Sequence, residues 1–125
     1  MIIGIGIDLV EIERIEAAIA RSGWRFISRL FTDGERRLCA GRPWRFAGRF
    51  ASKEALLKAV GTGLHGFSWQ EIEILAGENG APKVVCHGRF AAALQEQGVK
   101  AVHLTISHSR TYAVAEALLE GAEDS

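Results

Sequence analysis

The chain has 125 residues and is 48% hydrophobic, which suffices for the core of one domain but not for separate nucleotide-binding and substrate domains. Its formal net charge is zero, so the overall charge identifies no class of partner and gives no indication of nucleic-acid binding. Without a basic leader or an apolar run of membrane-spanning length, a single soluble, cytoplasmic domain over residues 1–125 is expected, with no membrane partner.

The charges are unevenly distributed along the chain. Residues 11–58 contain eleven basic and six acidic side chains, whereas residues 59–125 contain four basic and eight acidic ones. A basic first half can attract an anionic partner through its electrostatic field. Solvated helix faces give the same pattern, so the distribution alone leaves both interpretations open.

The first element predicted is a β-strand. Over residues 3–8, isoleucines alternate with Gly4, Gly6 and Asp8, which predicts one apolar face and one nearly bare face. Glycines on a strand allow another backbone or a ligand to come close.

Helices are predicted to follow this strand. The apolar spacing predicts a helix over about Glu11–Ala20, with Arg14 and Arg21 on its exposed side. Thr32 or the next residue is predicted to cap another helix start. A longer helix is predicted over about Trp44–Val60, closed by the glycines that follow it.

The second half of the chain has the pattern of short strands. Asn79-Gly80 is a hairpin signal between two of them, and a helix is predicted over Phe90–Gln97. Strands that meet through short turns indicate an antiparallel sheet, so the predicted class is α+β with helices packed on that sheet. The predicted strands are Glu71–Ala76, Lys83–His87, Val102–Ile106 and Tyr112–Ala117.

Asp8 has two interpretations. A carboxylate at the end of a strand, beside glycines, is a suitable oxygen ligand for Mg²⁺. The spacing Asp8-x-x-Glu11 also fits a helix capping box, in which Asp8 would have a structural role.

The long predicted helix contains three charged residues of interest. Lys53 falls within the apolar stripe, where a charge is costly unless it is paired. Glu54 and Lys58 have the i,i+4 spacing of a surface ion pair, but the same two side chains could hold Mg²⁺ and a phosphate. Gly61 and Gly63 either cap the helix or offer backbone N–H groups to an anion.

Ser107 and His108 are predicted to lie in the tight turn between the last two strands. A nucleophile pair is one interpretation, but no GxSxG motif accompanies them. An anion site of hydroxyl, imidazole and backbone N–H groups is as consistent with the sequence, and a plain turn is the commonest explanation.

Taken together, these segments resemble the bacterial holo-acyl-carrier-protein synthases, short members of the 4′-phosphopantetheinyl transferases. The resemblance spans nearly the whole chain in order. Its motifs are Gly4-Ile5-Gly6-Ile7-Asp8-Leu9-Val10-Glu11-Ile12, Gly48-Arg49-Phe50-Ala51-Ser52-Lys53-Glu54-Ala55 with Lys58-Ala59-Val60-Gly61-Thr62-Gly63, Glu78-Asn79-Gly80-Ala81-Pro82, and Ile106-Ser107-His108-Ser109.

The resemblance implies a fold and an activity. The fold would be that of the 4′-phosphopantetheinyl transferases, and the reaction would move 4′-phosphopantetheine from coenzyme A to a serine of an apo-acyl carrier protein, releasing adenosine 3′,5′-bisphosphate in support of fatty acid biosynthesis. Asp8 and Glu54 would hold Mg²⁺, and Lys58 would contact the pyrophosphate. The base for the serine hydroxyl stays open between Glu54 and a metal-bound water.

The resemblance also implies binding roles. Arg49, His108 and nearby backbone would hold the 3′-phosphate of coenzyme A, with Ser107, Gly61 and Gly63 as further coenzyme-binding positions. Arg14 and Arg21 would meet the acidic carrier protein. Family members form homotrimers with active sites between subunits, which is expected here too. A non-catalytic coenzyme A or nucleotide-binding module and a Mg²⁺-dependent phosphohydrolase are the rival interpretations; an intact Asp8/Glu54 pair favours the enzyme over the module.

Overall fold

The computed structural model describes residues 1–61 and 63–123. No helix in this part of the chain is long and apolar enough to cross a membrane. Two 3₁₀ turns, Trp69–Glu71 and Glu78–Gly80, flank the second strand. The helices and strands in chain order are β1 (Ile2–Glu11), α1 (Ile12–Ser22), α2 (Trp24–Leu30), α3 (Asp33–Cys39), α4 (Pro43–Val60), β2 (Ile72–Ala76), β3 (Pro82–Cys86), α5 (Gly88–Glu96), β4 (Val99–His108) and β5 (Tyr112–Gly121).

The strands form two antiparallel sheets. β5 lies between β1 and β4 in a three-stranded sheet, and β2 pairs with β3 through the predicted Asn79-Gly80 turn. The α+β class is confirmed, but the strands divide into two sheets rather than one. Helix α4 packs on the three-stranded sheet, so the inner face of that sheet and one side of α4 form the centre of the core.

Strand β1 approaches α4 at the two glycines. A Cβ atom on Gly6 would lie 2.0 Å from the carbonyl oxygen of Ala55, and one on Gly4 would lie 2.1 Å from that of Ala59. No side chain fits in that space, so the predicted close approach at the bare face is confirmed. Asp8 follows Gly6 by two residues, and the alternation of the strand directs it to the same side, toward α4.

The opposite face of β1 is apolar and exposed. Ile5, Ile7 and Leu9 have relative exposures of 61%, 56% and 62%. The strand therefore packs its glycines inward and presents its large side chains outward, which is the reverse of the usual arrangement in a sheet with one buried face.

A buried ion pair joins α4 to the rest of the domain. Lys53 and Glu35 are fully buried, and the Lys53 ammonium donates to Glu35 Oε1 at 2.8 Å and to the carbonyl oxygens of Leu30 and Trp69 at 2.6 and 3.1 Å. The other oxygen of Glu35 accepts the backbone N–H of Ile74 at 2.8 Å. Burial lowers the pKa of Lys53, and the Glu35 carboxylate opposes that effect. The expectation that a charge in the apolar stripe needs a partner is confirmed.

Several elements differ from the sequence-based expectations. β1 continues to Glu11, which precedes α1 without a side-chain capping bond, so the capping-box interpretation of Asp8 is wrong. The segment between α1 and α4 forms two further helices, the second of which has the predicted Thr32 cap with a full capping box. Ser107 and His108 belong to β4 rather than to the turn, because the ladder with β5 continues to the pair His108 and Ala113.

We expect Lys53→Met to lower the free energy of unfolding by about 3–5 kcal/mol, because it leaves the Glu35 carboxylate buried without its cation. Lys53→Met combined with Glu35→Gln is expected to recover part of that loss, since no unpaired charge then remains in the core. Urea unfolding followed by circular dichroism measures both. Exposed Lys83→Met is the matched control, with a change within about 0.5 kcal/mol; an equally small effect of Lys53→Met would show that the pair does not stabilise the fold.

Candidate functional site

The end of β1, helix α1 and the middle of α4 enclose a cavity of about 580 Å³. Its wall contains two carboxylates, Asp8 and Glu54, and two guanidinium groups, Arg14 and Arg21. Phe50 contributes apolar surface between them. Four of the predicted site residues, from three different elements, therefore line a single cavity.

Asp8 is held by a cation from α4. Lys58 Nζ lies 3.1 Å from Asp8 Oδ1 and donates to the carbonyl oxygen of Ile7 at 2.9 Å. The Asp8 side chain is 16% exposed and that of Lys58 is 54% exposed. No ion pair joins Glu54 to Lys58 in the described part of the chain, so the i,i+4 interpretation is wrong: Lys58 pairs across to β1. A contact between residues 50 positions apart gives no periodic signal in the sequence.

Glu54 is half-buried one turn before Lys58. Burial raises the pKa of Glu54, the nearby Asp8 carboxylate raises it further, and the Lys58 ammonium opposes both. The two carboxylates therefore repel each other across the cavity, and a cation between them would relieve that repulsion.

The donor set suits a hard cation that keeps other ligands. Among residues 1–61 and 63–123 there is no group of three or more His, Cys, Asp or Glu side chains that could hold a metal by itself. Mg²⁺ is commonly bound by only one or two carboxylates, with water and substrate phosphate oxygens completing its octahedron. Asp8 and Glu54 fit that pattern, in which the substrate brings part of the coordination.

Arg14 and Arg21 lie exposed on α1, beside the carboxylates. They are two turns apart on one side of the helix, as predicted. A partner that reaches Asp8 and Glu54 from solvent would pass these two cations.

Ser107 and His108 lie away from this cavity, at the end of β4. His108 lines a smaller cavity of about 280 Å³ with Trp44, Ser109 and Arg110. The hydrogen-bond partner of its Nδ1 is the carbonyl oxygen of Ser109, at 3.4 Å, rather than a serine hydroxyl. This geometry does not support a serine–histidine nucleophile pair.

Arg49 is on a different side of α4 from Lys58. Nine residues at 100° each place the two about 180° apart around the helix. Arg49 donates through Nε to the carbonyl oxygen of Ile74 at 3.0 Å, next to the second sheet. Within one chain, the structure does not bring Arg49 together with the Asp8–Glu54 cavity or with the residues that line the His108 cavity.

The two glycines after α4 both have positive φ angles. Gly61 has φ 95° and its N–H donates to the carbonyl oxygen of Leu57, so it is the helix C-cap and its N–H is not available to an anion. Gly63 has φ 61°. Thr62 between them lies outside the described residues.

The sequence analysis assigned no site role to two aromatic residues of α4 that line the cavities, Phe50 and Trp44. An aromatic residue at an amphipathic boundary was the available signal, but periodicity alone cannot distinguish a core residue from one that lines a cavity.

Comparisons with known proteins identify the family of this chain. Residues 4–117 match the model of the 4′-phosphopantetheinyl transferase superfamily. The holo-[acyl-carrier-protein] synthase of Koribacter versatilis is 45% identical over 96% of this chain and 99% of its own.

Solved structures give the same result. The holo-[acyl-carrier-protein] synthase from Neisseria meningitidis is 36% identical with a TM-score of 0.88, covering 96% of this chain and 99% of that one. The Helicobacter pylori holo-[acyl-carrier-protein] synthase in complex with coenzyme A is 30% identical with a TM-score of 0.85, covering 93% and 99%.

Proposed function

This chain belongs to the holo-[acyl-carrier-protein] synthase family of the 4′-phosphopantetheinyl transferase superfamily, and we propose that it transfers 4′-phosphopantetheine from coenzyme A to a serine of an apo-acyl carrier protein. The observation that carries the proposal is the cavity in which Asp8, Glu54 and the adjoining Lys58 converge. The serine hydroxyl attacks the β-phosphorus, and adenosine 3′,5′-bisphosphate leaves.

Asp8 and Glu54 are the proposed ligands of Mg²⁺, which when bound neutralises charge on the pyrophosphate and orients it for displacement. The support is their shared cavity and the pKa of Glu54, which is raised first by burial and then by the Asp8 carboxylate, whose repulsion a cation would relieve. Both side chains project from rigid elements, β1 and α4, so their separation is set by the close packing at Gly6.

Lys58 is the proposed contact to the pyrophosphate. Its ammonium bridges Asp8 and the Ile7 carbonyl at the cavity edge, while its side chain is 54% exposed. It can therefore reorient toward an incoming anion without breaking a buried interaction.

His108 and Arg49 are proposed to hold the 3′-phosphate of coenzyme A, with Ser107 as a further coenzyme-binding position. Arg49 lies on the far side of α4 from Lys58, so in this proposal it acts on the coenzyme bound to a neighbouring copy. Active sites between subunits are consistent with that separation.

A homotrimer is the proposed assembly. Ile5, Ile7 and Leu9 form an exposed apolar strip on the outer face of the sheet, and Val114 and Leu118 pair in register with Leu9 and Ile5. A contiguous exposed strip of large apolar side chains is typical of a protein interface.

Arg14 and Arg21 are the proposed contacts to the carrier protein, whose family is typically acidic. Both are exposed on α1 and line the cavity that contains the carboxylates, so a carrier docked there could bring its serine to the coenzyme.

We expect Asp8→Ala and Glu54→Ala each to lower the transfer rate by more than about 100-fold at saturating Mg²⁺, the scale on which losing one charge-stabilising group acts. The mass gain of the carrier measures transfer, and circular dichroism checks the fold. Glu13→Ala, an exposed carboxylate on α1, is the control and should retain activity. A variant at position 8 or 54 that keeps the wild-type rate would remove that residue from the metal site.

We expect Ile7→Glu to convert the trimer to monomers, because it replaces an apolar side chain with a second carboxylate directly beside Glu116, its register partner on the same face. Light scattering should give three times the 13.6 kDa chain mass for the wild type and one chain mass for the variant. Trp24→Glu is the matched control, since Trp24 is also an exposed apolar residue but lies on α2. A monomeric wild type, or a trimeric Ile7→Glu, would contradict the proposed interface.

We expect Arg14→Glu combined with Arg21→Glu to raise the KM for the carrier by about tenfold or more and to flatten its dependence on salt, because rim charges act on association. The KM for coenzyme A should barely change. Arg89→Glu combined with Lys83→Glu makes the same charge change elsewhere on the exposed surface and serves as the control. Equal carrier kinetics in the two double variants would place the docking surface elsewhere.

A further inference from the structure

The smaller cavity, of about 280 Å³, lies where α4 begins. Pro43 and Trp44 form one side and His108, Ser109 and Arg110 another, with Ile12 and Glu16 of α1 completing the wall. Of these residues, only His108 has been given a role above. The cavity therefore contains an aromatic ring and an arginine that the proposed transfer does not yet use.

Trp44 differs from the other aromatic residues of α4. Phe46 is 3% exposed and Phe50 is half-buried, whereas Trp44 is 40% exposed. Arg42 lies over one face of this ring, so a planar ligand at the cavity edge would stack on the opposite face.

The charges around this ring favour an anionic ligand. The guanidinium carbon of Arg42 lies 5.9 Å from the centre of the Trp44 ring, and Arg110 and His108 line the cavity. Glu16 supplies the carboxylate in the wall, which can accept a hydrogen bond from an amino group but not hold a phosphate. An aromatic face, arginines and one acceptor match a purine nucleotide with a terminal phosphate.

The position of this cavity suits the nucleotide end of coenzyme A. Asp8 is aligned with Ala115 and His108 with Ala113, and both side chains fall on the inner face of the sheet. His108 lies two strands across the sheet and two residues along it from Asp8. Standard strand spacings then place the Cα atoms of the two residues about 12 Å apart. The two cavities share no lining residue, so they would hold different parts of a ligand.

We propose that Trp44 stacks on the adenine of coenzyme A, with Arg42 and Arg110 beside the 3′-phosphate. This inference rests on the proposed transfer, which assigns His108 to the same phosphate. It adds a residue that determines affinity for the nucleotide half of the substrate and takes no part in the bond changes. The aromatic face of Trp44, not its bulk, makes the contact.

The test compares Trp44→Phe with Trp44→Leu, because both retain apolar bulk and only phenylalanine retains an aromatic face. Trp44→Leu should raise the KM for coenzyme A between about 5-fold and 150-fold, the range of base–aromatic stacking, with kcat and the KM for the carrier near wild type. Trp44→Phe should retain most of the affinity. Calorimetric titration with adenosine 3′,5′-bisphosphate should show the same order without any catalysis.

Trp24→Leu is the matched control, because Trp24 is an exposed tryptophan of α2 whose ring also lies by an arginine, Arg36. This change should leave the KM for coenzyme A unchanged. A Trp44→Leu variant with wild-type affinity for both coenzyme A and the bisphosphate would overturn the inference. A rise in the carrier KM alone would also overturn it, by assigning Trp44 to the carrier. If the wild type binds the bisphosphate through Trp44 but transfers nothing, the proposed function fails and the nucleotide site stands.

Discussion

The close contact between β1 and α4 is the constraint on which the site depends. Gly4 and Gly6 have no side chains to separate the strand from the helix, and the carbonyl oxygens of Ala55 and Ala59 occupy the space. This packing brings Asp8 within 3.1 Å of Lys58, which lies 50 residues further along the chain. Adding a methyl group at either glycine would push the strand away from the helix and separate the two charges.

The same packing explains why the exposed outer face of the sheet carries large apolar side chains. Ala113, Ala115 and Ala117 line the inner face of β5 and are almost completely buried, so the inner layer is made of small residues. The large side chains of β1 are consequently on the outer face, where Ile5 and Ile7 are exposed. The tight fit that builds the proposed metal site therefore also creates the surface proposed to join three copies.

Neighbouring residues of α4 have opposite electrostatic environments. Lys53 is fully buried and satisfied by Glu35 and the carbonyl oxygens of Leu30 and Trp69, so it joins α4 to α3, to the end of α2 and to the turn before the second sheet. Glu54 is the next residue, turned 100° to face the cavity, where burial and Asp8 raise its pKa. One helical step separates a charge that stabilises the fold from one that is available for binding.

The sequence by itself determined the elements whose signal is local. The alternation at β1, the long helix α4 and the need of Lys53 for a partner were all predicted, because each depends on spacing within one segment. Only the tertiary structure decided that Lys58 pairs with Asp8 rather than Glu54 and that Arg49 donates to the carbonyl oxygen of Ile74 in the second sheet. Those outcomes depend on which segments pack together, and contacts between distant residues leave no periodicity along the chain.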